Sequence, residues 1–409
     1  DAEKAEKFFL DALEINDLSY HVINNIAGFY REEGKSYEAI KYYKKAISLN
    51  PNNSFIYNNL SKTYFDLNNH KDALANSFKA LKLNPDNGDI KKTLSFIYLK
   101  DHDYKNGWDY FEGRLSLDEY TKKNKKVEQL NKKLFRKKIL NDSKNNFLII
   151  REQGIGDEIL YSSMYIDILK KFENITIECD PRLINLFKRS FTKFSNSFVE
   201  LGTISDNKYK FDKIDYVVYA GSLGKYYRKN LNNFTGEPYL KVDEKKCIEI
   251  KNKLSIYKKK FNIGISWKSF KNRYSSDKSL ALNDFQHIFE MPDCNVFNLQ
   301  YGDVLDEIKE FNNKQERLLS IENLDLYNDF ESLAALLKSL DLFVTVSNST
   351  AHLAGSLGVK TILIKPNNYA LFHYWNQITN ETPWYNSIKL IERKGFLNDS
   401  KILKNYLSL

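Results

Sequence analysis

Three short stretches hold the side chains best suited to chemistry. In "REQGIGDEIL" (151–160), Gly154 and Gly156 precede an acid, Asp157, between the apolar run "NNFLII" and a helical pattern. A glycine turn at a helix start ordinarily draws phosphate, because the first N–H groups are unpaired and the helix dipole is positive there. Here Asp157 fills that place and would repel a phosphate. The three-glycine dinucleotide pattern also fails, since Ile159 stands where the third glycine belongs. The turn is read as one that presents Asp157, or Glu158, to a cleft, where a carboxylate can take a proton from an attacking hydroxyl. Helix capping by Asp157 is the structural alternative.

The phosphate site is then expected in "VTVSNSTAHLAGSLG" (344–358). A strand ends at Val346, the hydroxyl-rich loop Ser347-Asn348-Ser349-Thr350 follows, and a helix begins near Ala351. Its N–H groups and hydroxyls would converge on a diphosphate, with His352 donating to a phosphate oxygen. The third stretch, "ISWKSFKNRYSSDKS" (265–279), carries Lys268, Lys271 and Arg273, cations able to neutralise a leaving diphosphate; a solvated basic loop is the alternative. No Asp-x-Asp metal motif stands at a strand end, and "DHD" (101–103) reads as a turn among repeats, so no metal is expected.

These stretches need elements to position them. "FLII" (147–150), "NITIE" (174–178) and "YVVYA" (216–220) read as buried strands with helical patterns such as "EILYSSMYIDILKKF" between them. "NIGISW" (262–267), "CNVFNLQ" (294–300), "LDLFVTV" (340–346) and "KTILIK" (360–365) form a second strand set, with helices over 244–260, 329–340 and 350–358. Strand–helix alternation predicts two parallel βαβ domains, residues 146–243 and 244–409, which bind ligands at the carboxyl ends of their strands.

The front of the chain repeats. Ala12, Ala46 and Ala80, Tyr30, Tyr64 and Tyr98, and Asn16, Asn50 and Asn84 all recur at a 34-residue step, as do Ala5, Ala39 and Ala73 with Gly107 next. Pro51 and Pro85 end the second helices. This pattern resembles the tetratricopeptide repeat, over residues 1–117: two whole units, a half unit before and a degraded one after. Such arrays bind peptide segments. Asn25 and Asn59 recur on successive first helices, and carboxamides both donate and accept, so the pair looks like the asparagine ladder of the O-GlcNAc transferase superhelix, ending at Thr93. Residues 118–145 are highly charged with little apolar pattern and read as a linker.

Composition sets the class. Of 409 residues, 42% are hydrophobic, enough for several cores, and no apolar run is long enough to span a membrane. The net charge of +9 comes from Lys scattered among Asn and Glu, so a nucleic-acid partner is not expected. Cys179, Cys247 and Cys294 lack metal spacing and read as reduced thiols, which with no signal-peptide pattern points to a cytoplasmic protein. The chain lacks an initiating Met, as a trimmed chain would.

Taken in order, "EQGIGDEI", "GISWKSF…NR", "FNLQYGD", "VTVSNSTAHLAGSLG" and "PWYNSIKLI" resemble a bacterial, tetratricopeptide-linked glycosyltransferase related to glycosyltransferase family 9, the ADP-heptose:lipopolysaccharide heptosyltransferases. The resemblance covers residues 147–392 and implies a GT-B fold of two Rossmann-like domains with an inverting, metal-independent transfer from a nucleotide-sugar. It implies Asp157 as general base, Lys268 balancing the leaving group, and Ser349, Thr350 and His352 on the diphosphate. Leu299, Gln300 and Tyr301 would lie at the donor's base. Gly154, Gly156, Trp267, Arg273, Ser347 and Asn348 complete the donor-contacting set. One departure stands out: Ser347-Asn348 replaces an Asp-Thr pair, which leaves the donor sugar open and keeps a non-catalytic scaffold as the alternative. The acceptor is a polypeptide, as the repeats suggest, or a glycan, as the kinship suggests.

Overall fold

The computed structural model describes residues 19–117, 132–135, 144–201, 213–270, 275–315, 318–366, 372–375 and 380–398, with single residues among 4–11, at 130, at 403 and at 406–407. The chain divides into two compact units, Asp1–Glu128 and Gln129–Leu409.

The first unit is a stack of helix pairs: α1 (Tyr20–Glu32), α2 (Ser36–Leu49), α3 (Ser54–Asp66), α4 (His70–Leu83), α5 (Gly88–Lys100) and α6 (Tyr104–Phe111). Ala39, Ala46, Ala73 and Ala80 are all 0% exposed, so the 34-residue step of small residues marks where helix backbones approach. At the next step even alanine does not fit, because a Cβ on Gly107 would lie 2.6 Å from the Leu99 side chain. The turn inside each pair needs a left-handed residue. Gly34, Asn68 and His102 supply it with φ of 75°, 58° and 61°, again one repeat apart. Asn53, Asn69, Asn87 and Asp103 cap the following helices with their side chains.

Polar clasps join successive repeats. Arg31 Nε donates to Asp66 at 2.5 Å, Lys62 Nζ to Asp89 at 2.6 Å and Asn58 Nδ2 to the same carboxylate at 2.8 Å. The two ladder residues are themselves tied together: Asn59 donates to Asn24 at 3.2 Å, and Asn24 donates to Asn25 at 3.4 Å.

The second unit holds two sheets. The first, β1 (Phe147–Ile150), β2 (Ile175–Cys179), β3 (Phe198–Glu200) and β4 (Tyr216–Tyr219), is parallel in the order β3-β2-β1-β4. Part of the charged 118–145 segment joins it: Phe135 N–H donates to Val217 O at 2.9 Å, and Val217 N–H donates to Lys133 O at 2.8 Å. The second sheet comprises β5 (Phe261–Ser266), β6 (Cys294–Asn298), β7 (Leu318–Leu319), β8 (Leu342–Val346), β9 (Thr361–Ile364), β10 (Glu381–Thr382) and β11 (Tyr385–Ile391), in the order β10-β11-β9-β8-β5-β6-β7. Only the β10–β11 pairing is antiparallel. Strands β1, β2, β8 and β9 are buried along their whole length, which is why they read as continuous apolar runs.

Both sheets are doubly wound. In each the first strand lies inside, the next two run outward to one side, and the fourth begins the other side. The chain is therefore an α-solenoid followed by an α/β unit of GT-B type, two Rossmann-like sheets. The order reverses between β1 and β4 in one sheet and between β5 and β8 in the other, and ligands of such sheets bind at these reversals.

The helices that follow the inner strands carry the motifs: α7 (Ile155–Ser162) after β1 and, beyond α8 (Glu244–Leu254) and α9 (Phe330–Lys338), α10 (Ser349–Ser356) after β8. The helical pattern expected to run on from α7 is broken at Ser163–Met164 before a short helix, Tyr165–Leu169.

The Arg31–Asp66 clasp is largely buried, with the Asp66 side chain 7% exposed. Asp66→Ala leaves Arg31 without its carboxylate and is expected to lower stability by roughly 2 kcal/mol. Urea unfolding of both proteins measures it.

Candidate active site

Helix α7 and helix α10 bring their N-termini together. A Cβ built on Gly156 would lie 3.1 Å from His352 Cδ2, 3.3 Å from Ser349 Cα and 3.6 Å from Ser349 Cβ. Any side chain larger than hydrogen crowds this contact. The glycine expected to shape a tight turn thus serves the approach of two helices. The left-handed residue of the turn is Gln153, with φ of 62°, while Gly154 is extended (φ −94°, ψ 172°). A non-glycine residue held left-handed stores a small strain, as loops at binding sites often do.

Asp157 is half-buried and accepts a hydrogen bond from Gly154 N–H at 3.1 Å, so it closes its own turn. Burial lifts the Tyr374 and Tyr385 phenols well above their ordinary range, and the negative charge of Asp157 adds to the shift. Behind it, Glu158 is fully buried. It accepts from Arg151 Nε and from Asp180 N–H at 2.8 Å. Glu152 accepts from Gly221 N–H at 2.6 Å and so ties the loop after β1 to the loop after β4. Burial, opposed by Arg151, pushes the Glu158 carboxyl up to about 7.

On the other side of the junction, amide side chains build the loops. Gln300 Oε1 accepts from Ser266 Oγ at 3.0 Å, Trp267 N–H at 2.8 Å and Lys268 N–H at 2.6 Å. Asn348 Oδ1 caps α10 through Ala351 N–H at 3.1 Å, and its Nδ2 donates to Ser266 Oγ at 2.8 Å. Trp375 Nε1 donates to Ser347 Oγ at 2.9 Å. Gln300, Ser347 and Asn348 were expected to meet the donor; their side chains are instead buried in the framework. Trp267 is wholly buried and donates to Glu307 at 3.2 Å, which makes it core.

Lys268 Nζ pairs with the same Glu307 at 2.6 Å and keeps a third of its side chain exposed. Ser349 is half-buried. Thr350 Oγ1 is buried without a hydrogen-bond partner among the described residues. Arg273 and Lys271 lie outside the described residues.

His352 is 4% exposed. Its ring stacks on Trp375 (4.7 Å, 22°) and meets the edge of Tyr374 (4.8 Å, 76°), and its Nδ1 lies 3.1 Å from Tyr385 Oη. Burial, with the nearby charge of Lys278, lowers the imidazole to about 3. The ring is neutral at pH 7, so it brings no positive charge to a leaving group. Lys278 is the cation that sequence reasoning missed: it is buried, with its ammonium 4.1 Å from the centroid of Phe372. It sits in the quoted "YSSDKS" run, yet nothing local distinguishes it from a surface lysine. Glu307, Tyr239 and Trp375 were also missed, because their partners lie 28 to 80 residues away in the chain.

Comparison with known proteins places the pieces. Residues 22–53 and 42–75 each match the tetratricopeptide repeat family. The chain is 26% identical over 258 residues to Protein FlbA of Caulobacter vibrioides, covering 59% of this chain and 42% of that protein. It thus spans less than half the length of that relative. Among solved structures it resembles E. coli ADP-heptose lps heptosyltransferase II with a TM-score of 0.45 at 11% identity, over 64% of this chain and 98% of that one. It resembles MamA with a TM-score of 0.27 at 19% identity, over 28% of this chain and 68% of that one. The first TPR of Spaghetti (RPAP3), solved with an HSP90 peptide, gives 0.24 at 22% identity, over 27% and 90%. Among the described residues, no helix is long and apolar enough to cross a membrane.

Glu158 yields a pH signature. Its carboxyl is raised from 4.5 to about 7 in the fold, so the native state binds the proton more tightly than the unfolded chain does. That contribution, on the order of 3 kcal/mol at most, is present below about pH 4.5 and is lost as pH rises through about 7. Glu158→Gln should flatten the fall in stability across this window, as read by urea unfolding at stepped pH.

Proposed function

We propose that the second unit is an inverting, metal-independent glycosyltransferase that moves a sugar from a nucleotide-sugar to a hydroxyl of a protein or glycan acceptor. The observation that supports it is the meeting at Gly156 of an acid-bearing helix start and a hydroxyl-bearing one, each at the reversal point of its own parallel sheet. Asp157 accepts the proton of the acceptor hydroxyl. The acceptor oxygen bonds to the anomeric carbon as the bond from that carbon to the diphosphate breaks, and its electron pair leaves with the diphosphate. The first-turn N–H groups of α10, with Ser349 and Thr350, receive the departing oxygens. Lys268, Lys278 and Arg273 supply the positive charge, and the donor's base lies beside Tyr301. Lys268 must exchange Glu307 for the phosphate to do so.

The repeat array would hold a polypeptide, substrate or partner, along the row of Asn25 and Asn59, in the cytoplasm. Asn59 uses one of its two Nδ2 hydrogens on Asn24 and the Asn25 Oδ1 accepts from Asn24, which leaves the second Asn59 N–H and the Asn25 amide N–H groups for a peptide.

The test is nucleotide-sugar turnover across ADP, UDP, GDP and CMP donors, with Asp157→Asn beside the unaltered protein. Loss of a general base is expected to slow transfer roughly 100-fold or more. The rise in melting temperature on adding the matching nucleotide should be kept. Equal background rates in both proteins would favour the non-catalytic scaffold.

A further inference from the structure

A guanidinium from the front half grips a loop of the rear half. Arg182 lies just past β2. Its Nε and Nη2 donate to the two carboxylate oxygens of Asp180 at 2.9 and 3.0 Å, and its Nη1 donates to the carbonyl of Tyr327 at 3.1 Å. The same guanidinium stands 5.2 Å from the centroid of the Tyr327 ring and 5.5 Å from that of Phe330. A planar fork can hold a carboxylate along one edge and a carbonyl along another, which the point charge of a lysine cannot do at once. Asp180 is fixed from behind: its N–H donates to Glu158 at 2.8 Å, and Arg151 stands beside both carboxylates. Arg182 is thus the outer end of a bracket that begins next to Asp157 on α7.

What the bracket holds is a run of rings. The Tyr327 ring lies 6.0 Å from that of Tyr301, and Tyr301 lies 5.7 Å from Phe270. Phe270 and Tyr327 are 42% and 57% exposed. Neighbouring rings left open in this way suit a planar partner. The loop's own bonds are local: Asp325 accepts from the N–H groups of Tyr327 and Asn328, both at 2.9 Å. Arg182 is what ties it to the front half. The rings also stand where such sheets bind ligands, since Phe270 follows β5 and Tyr301 follows β6. The order β8-β5-β6 puts the start of α10 two strand spacings from Tyr301, about 10 Å. A nucleoside diphosphate has that reach, with its phosphates at α10 and its base on the rings.

We propose that Arg182 is a positioning residue of the donor site: from the front half it holds Tyr327 against Tyr301 and so sets the ring surface on which the nucleotide's base rests. The half that carries Asp157 thereby shapes the half that receives the donor. That the planar partner is a base rests on the transfer reading above; that Arg182 sets the contact between the two tyrosines does not. Arg189 supplies the control. It joins the same two halves through Glu331 at 2.5 Å, so its loss loosens them without releasing the Tyr327 carbonyl.

The test uses the full chain labelled with fluorotyrosine, with Tyr301→Phe and Tyr327→Phe assigning the two fluorine signals. Arg182→Gln is expected to move both signals, and Arg189→Gln to leave both in place. A Tyr301 signal that stays put in Arg182→Gln would overturn the proposal, as would equal shifts in the two variants. Arg182→Lys, which keeps the charge and loses the fork, should move the signals as well, so the test survives a failure of Arg182→Gln to fold. With a nucleotide-sugar that is turned over, Arg182→Gln should raise its KM roughly 10-fold and keep kcat within about 2-fold, since Arg151 still holds Glu158. A lower kcat at unchanged KM would contradict the positioning role. The fluorine spectra need no turnover, so failure of the Arg182 bracket is told apart from failure of the transferase reading.

Discussion

Gly156 has no side chain, and that eases the close approach of α7 and α10, where an added Cβ would need its neighbours to give by a few tenths of an ångström. Two helix starts ordinarily repel, because each presents unpaired N–H groups and a positive dipole end. Here they lie close enough that a methyl group would touch Ser349 and His352. Asp157 resolves the conflict: its carboxylate stands at the start of α7 and turns that end from a positive place into a negative one. The pair then sets an acid-bearing helix start beside one that carries Ser349 and Thr350 and is capped by Asn348.

The rest of the site is framework. Gln300 and Asn348 act as rigid brackets that join the loops after β5, β6 and β8 through Ser266. Their amides suit this because each offers donors and an acceptor in one plane. Glu152 and Glu158 do the same work in the front half with carboxylates. Among the described residues, Ser349 and His352 lie against Gly156 at the junction, with Asp157 next to it in the turn. In the proposed transfer, the neutrality of His352 leaves positive charge to the lysines, Lys268 paired with Glu307 and Lys278 near the imidazole.

Much of this was legible in the sequence. The repeats announced themselves through a 34-residue step in small and aromatic residues, and the step maps onto wholly buried positions such as Ala39 and Ala73. The inner strands read correctly because parallel strands buried on both faces are short apolar runs. Strands β3 and β7, three and two residues long, carry too little pattern to be seen. The break at Met164 was hidden because buried apolar residues continue across it, from Ile159, Leu160 and Tyr161 to Tyr165, Ile168 and Leu169. At the site, motif positions were found, yet side-chain roles were not. Whether Gln300 meets a ligand or braces a loop depends on Ser266, Trp267 and Lys268, more than 30 residues away, and only the fold sets that distance. The left-handed Gln153 was equally invisible, since two glycines beside it are the natural candidates.

The central claim is that residues 156 and 349, nearly two hundred positions apart, touch. A Cβ at Gly156 would stand 3.6 Å from that of Ser349, within the span that a disulfide bridges. The double variant Gly156→Cys with Ser349→Cys, mildly oxidised and digested without reduction, should yield a linked peptide pair by mass spectrometry, absent from either single variant. Recovery of both peptides unlinked, with the native thiols Cys179 and Cys294 still buried, would contradict the account.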